Sequence, residues 1–64
     1  MITRADYELL VSAIIEAENA RITAARKIVD ERPTAAAEMS NEAVRLRMIR
    51  ADINKAWEKY QSKR

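Results

Sequence analysis

The chain has no cysteine, no histidine, no glycine and a single proline. Without cysteine there is no disulfide, and nothing points to an oxidising compartment. With histidine missing as well, transition metals lose both of their favoured ligands, so no metal or other cofactor is expected. Without glycine, no residue enters the left-handed region cheaply, and a tight glycine-capped turn is excluded. A Gly-rich phosphate loop is excluded with it. No apolar run approaches the roughly 18 residues of a membrane span. The start, MITRADYELL, lacks the charged-then-apolar layout of a signal peptide. The expectation is a cytoplasmic protein without a membrane segment.

Those absences bear on stability. A chain of 64 residues is one domain at most, and alone it buries a modest share of its surface. Small scaffolds are usually stapled by disulfides, by a metal or by association. Two of the three are missing, which leaves association.

What is present is helix-forming. Alanine, arginine, glutamate, isoleucine and lysine dominate. No stretch sustains the alternation of a strand. Thr3 and Asp6 are spaced as a helix start. From there the pattern predicts a helix over about 4–31. Pro33 is the hard stop, since it removes a donor and biases Arg32 away from helix. The turn is placed at about 32–34, with Thr34 capping a second helix over about 35–62. Ser40 is a rival start for that helix. The reading is one domain, residues 1–64, all-α: an antiparallel two-helix hairpin. Each helix is about 42 Å long at 1.5 Å per residue.

The apolar pattern asks for more than one neighbour. Helix 1 carries a stripe of Tyr7, Leu10, Val11, Ile14, Ile15, Ile22, Ala25, Ile28 and Val29, widened by Leu9, Ala13, Ala17, Ala20 and Ala24. A surface helix needs only about 100° of apolar arc. On helix 2 the spacing predicts a heptad seam at Ala35, Met39, Glu42, Leu46, Ile49, Ile53, Ala56 and Tyr60, with Trp57 beside it. Val44, Met48 and Ala51 form a second patch away from the seam. A hairpin pairing with a second copy into a four-helix bundle accommodates both patches, so a homodimer is expected.

Polar residues interrupt the stripes. Glu18 lies in the middle of the first and Glu42 within the second, with Arg21 and Arg50 at their borders. In a hairpin turning near residue 33, facing positions sum to roughly 65. Glu18 then meets the neighbourhood of Arg47 and Arg50, and Glu42 that of Arg21. An unpaired buried carboxylate is costly, so each acid is expected to pair across the hairpin and fix its register.

Charge is uneven along the chain. Residues 1–43 hold five basic and eight acidic side chains, net −3, and residues 44–64 hold seven and two, net +5. Nothing supplies a nucleophile with a tuned partner, so the chain is not read as an enzyme. The first functional reading is a stoichiometric protein-binding module, such as an inhibitor, adaptor or assembly subunit. Small helical chains of that kind are common in mobile elements. Its candidate surface is Val44, Met48 and Ala51, rimmed by Arg45, Arg47 and Lys55, a composition typical of interfaces. The alternative is a nucleic-acid regulator, binding RNA through Arg45, Lys55, Lys59 and Lys63 on one outer arc. Asp52 interrupts that arc, and no aromatic side chain interleaves it as a stacking platform. Dimeric two-helix hairpins that bind RNA occur among plasmid copy-number regulators, a likeness of fold alone.

Overall fold

A computed structural model describes residues 2–63. Two helices, α1 (Arg4–Ile28) and α2 (Pro33–Ser62), pack against each other as a hairpin. The described residues contain no strand. The molecule measures 51 × 16 × 13 Å, with a radius of gyration of 14.9 Å. A compact chain of this length has a radius near 11 Å, so the hairpin is a rod.

Thr3 opens α1 with a reciprocal cap. Its hydroxyl accepts from the Asp6 backbone N–H at 3.1 Å, and its own N–H donates to the Asp6 carboxylate at 3.2 Å. Two helix-end donors that would otherwise lack partners are thereby satisfied. Thr3→Ala should destabilise the hairpin by about 1 kcal/mol. Urea denaturation followed by helix content checks this, and an unchanged midpoint would show that the cap contributes nothing.

The turn lies at residues 29–32, not 32–34, and α1 ends at Ile28, three residues earlier than the sequence reading placed it. Pro33 is the reason. A helix carbonyl needs the N–H four residues on, and for Val29 that residue is Pro33, which has none. The last carbonyl served is that of Ile28, which accepts from Arg32 at 2.6 Å. Arg32 then leaves the helical region, with φ −136° and ψ 71°, in keeping with the bias against helix that a following proline imposes. Pro33 itself is the first residue of α2, where a missing N–H costs nothing. Thr34 therefore lies inside α2 rather than at its cap, and the helix runs through Ser40 without a break. No described residue has a positive φ, so the turn is made without the left-handed cap that glycine would supply.

The faces in contact repeat every seven residues. On α1 they are Tyr7, Val11, Ile14, Glu18, Arg21, Ala25 and Ile28, all at least half-buried. On α2 they are Ala36, Met39, Ala43, Leu46, Arg50, Ile53, Trp57 and Tyr60. Alternating spacings of three and four are those of an antiparallel coiled coil. The second list corrects the sequence reading. Positions 39, 46, 53 and 60 are shared, but their companions are 36, 43, 50 and 57, not 35, 42, 49 and 56. The core is thin: the buried apolar residues are Ile14, Ala25, Ala36 and Ala43.

Candidate functional site

Glu18 is the most buried charged residue described, 5% exposed, and occupies a contact position on α1. Arg50 occupies the matching position on α2. Its Nε donates to Glu18 Oε2 at 2.8 Å and its Nη2 to Oε1 at 3.2 Å. This two-point grip fits the planar guanidinium to the planar carboxylate. Arg47 adds a longer contact, 3.8 Å from its Nε to Oε1. The Arg50 hydrogen bond is the main cause holding the Glu18 carboxyl below its usual range. Burial opposes it, and the charges of Arg50 and Arg47 reinforce it. Arg50 is in turn held more firmly protonated by Glu18.

Arg21 and Glu42 form a second cross-hairpin pair. Arg21 Nε donates to Glu42 Oε1 at 3.1 Å, and Nη1 reaches back to the Ala17 carbonyl at 3.3 Å. This pair is much more open to water than the first. The structure thus brings together all four residues of the expected polar register, in the pairs Glu18–Arg50 and Glu42–Arg21.

The open end of the hairpin is held by aromatic side chains. Tyr7 stacks flat on Trp57, with ring centroids 4.7 Å apart and planes 5° apart. Tyr60 tilts against Trp57 at 5.5 Å. The Tyr7 hydroxyl donates to Asn54 Oδ1. Sequence reasoning missed the stack, although positions 7 and 57 sum to 64 and so fall on the same level. Beside it lies an apolar cleft of about 310 Å³, walled by Tyr7, Leu10, Ile53, Ala56, Trp57 and Tyr60.

The candidate partner surface lies elsewhere. Val44 and Met48 are 50% and 63% exposed, on the side of α2 turned away from α1. Arg45, Arg47, Ala51 and Lys55 are exposed around them. The basic residues Arg45, Lys55, Lys59 and Lys63 are exposed too, and among the described residues no ion pair engages them. The described residues contain no acidic cluster able to hold a metal. No described helix is long and apolar enough to cross a membrane. No protein-family model matches this chain, and neither a curated protein nor a solved structure matches it.

Proposed function

We propose that the chain is a non-enzymatic interaction module. Two hairpins associate into a four-helix bundle, and the bundle binds a protein partner stoichiometrically in the cytoplasm. The partner surface is Val44, Met48 and Ala51, with Arg45, Arg47 and Lys55 at its rim. One observation carries this reading: two large apolar side chains stand exposed on a face of α2 that α1 does not reach. Methionine adapts its shape to a partner, and arginine at the edge supplies directional hydrogen bonds.

A second reading, nucleic-acid binding, is favoured by the exposed cations on the outer arc of α2. One pair of variants separates the two. The apolar variant is Val44→Asp with Met48→Asp, and the basic variant is Lys55→Glu with Lys59→Glu. Both are compared with wild type as bait in a native extract, with and without nuclease. A protein partner should survive nuclease and be lost from the apolar variant, because that variant forces carboxylates into a desolvated contact. The basic variant should then mainly alter association rate and salt sensitivity. For a nucleic acid the order reverses, and the logarithmic salt slope shrinks by about one unit for each phosphate no longer neutralised. Helix content and sedimentation of the apolar variant are measured first. Normal capture by both variants would overturn both surfaces.

A further inference from the structure

We infer that a second copy of this chain covers the side face where Leu10, Ala17 and Ala24 of α1 adjoin Glu42, Ile49 and Ala56 of α2. The two hairpins run antiparallel, about a two-fold axis at the level of Ala17 and Ile49. This rests on the oligomeric part of the reading above and adds the face, the axis and the direction.

Surface area gives the first argument. The chain exposes 5327 Å². A folded monomer of 7.3 kDa exposes about 4,200 Å², so the hairpin carries about 1,100 Å² too much. A stable interface buries about 800 Å² per partner. One more copy is enough to remove the surplus.

The choice of face follows from what each side offers. Leu10 and Ile49 are 45% and 48% exposed, while Ala17 and Ala24 are half-buried at the same edge. The charged residues within this stretch, Arg21 and Glu42, already bond each other, and Arg45 stands at its rim. Covering it desolvates little that lacks a partner. The opposite side is less suited. There Ile15, Ile22 and Val29 adjoin an α2 edge of Pro33, Ser40, Arg47 and Asn54, and the last two serve Glu18 and Tyr7. The Val44 and Met48 face is worse still for self-pairing. A two-fold there sets Arg45, Arg47 and Lys55 near their own copies, and like charges repel.

Level and bulk give the direction. Glu18 bonds Arg50, so Ala17 and Ile49 lie level. Leu10 and Ala56 lie one heptad toward the open end, and Ala24 and Glu42 one heptad toward the turn. The open end carries the bulk of this face, Leu10, beside Ala56 and the apolar cleft. The turn end carries alanines at 24 and 35. An antiparallel pair sets Leu10 against Ala24 of the partner subunit, a large side chain over a small one, at both ends of the interface. A parallel pair would gather both Leu10 side chains in one layer and both Glu42 carboxylates, of like charge, in another.

Single thiols test this cleanly, because the chain has no cysteine of its own. Wild type is first sedimented to equilibrium at tens of micromolar. Ile49→Cys and Val44→Cys are then treated with a short bismaleimide, and mixed Leu10→Cys and Ala24→Cys chains are treated likewise. The expected mass is twice 7.3 kDa. Ile49→Cys should cross-link at least tenfold faster than Val44→Cys, and the mixed Leu10–Ala24 product should exceed either self-product. If Ile49→Cys itself weakens association, Ala17→Cys reads out the same level. A 7.3 kDa species alone, equal rates at Ile49 and Val44, or a dominant Leu10–Leu10 product would each overturn the inference. Partner capture by the same thiol variants keeps the two readings apart. Cross-linking at Ile49 with no partner at Val44 supports the inference and sinks the partner surface. Capture by a monomer does the reverse.

Discussion

Arg50→Ala should lower the thermal midpoint by about 10 °C at pH 7, a large loss for a domain of this size. The change leaves Glu18 in a contact position with its two-point partner gone and only the longer Arg47 contact in place. A buried carboxylate without its donor keeps the desolvation cost and loses what offset it. The pH dependence identifies the cause. In wild type the Glu18 carboxyl is held below its usual range, first by the Arg50 hydrogen bond. A carboxyl depressed by folding contributes stability that is fully present above its unfolded value, near 4.3, and is lost as pH falls through the lower folded value. The variant loses the largest cause of that depression, so its deficit should be greatest at neutral pH and shrink as the solution is acidified through the carboxylate range. A deficit equally large at pH 3 would show that packing of the arginine stem, not the ion pair, is responsible. Replacing Glu18 and Arg50 together by leucine should recover most of the midpoint. A double variant as unstable as the single one would contradict the pairing argument.

Trp57→Ala should cost about 2–3 kcal/mol, at or below the lower limit for a fully buried large aromatic because Trp57 is only partly buried. It removes the flat stack on Tyr7 and the tilted contact with Tyr60. No large side chain in the described hairpin is fully buried, so little else compensates. The loss should concentrate at the open end. Amide hydrogen exchange should speed up around Tyr7, Val11 and Ile53 and stay nearly unchanged around Ala25 and Ala36. Uniform acceleration would mean that the two ends do not open separately.

The helices were legible because their signals are local. Thr3 with Asp6 sets one start, and an unbroken run of helix formers sets the lengths. The cross-hairpin pairs were legible because an antiparallel turn fixes which positions are level. The end of α1 was misjudged by attending to the residue before Pro33 instead of the carbonyl that Pro33 fails to serve. The phase of α2 was misjudged by ranking residues on apolarity. That ranking prefers Ile49 and Ala56 to Arg50 and Trp57 as contact residues. The fold prefers the latter because Glu18 draws in the guanidinium and Tyr7 draws in the indole, while Ala36 and Ala43 let the helices approach closely. The pull of Glu18 and Tyr7 belongs to α1, and no pattern within α2 contains it. The same rotation leaves Ile49 on the flank, which is why the side face was not foreseen. The exposure of Val44, Met48 and Ala51 was legible, since none of them falls on a contact position of α2.

The position of the Glu18–Arg50 pair has a kinetic consequence. Contacts near the turn join residues close in sequence and close first, whereas the Tyr7–Trp57 stack must close a loop of about fifty residues. The ion pair lies midway along that path. Before it forms, the contacts made are those of small and aliphatic side chains and of the water-exposed Arg21–Glu42 pair, and a slip there strands no buried charge. A slip of one heptad would set Glu18 against Ala43 or Trp57 and strand its charge. Closing helices therefore meet a proofreading step halfway along, and only the native alignment passes it and goes on to stack the aromatics.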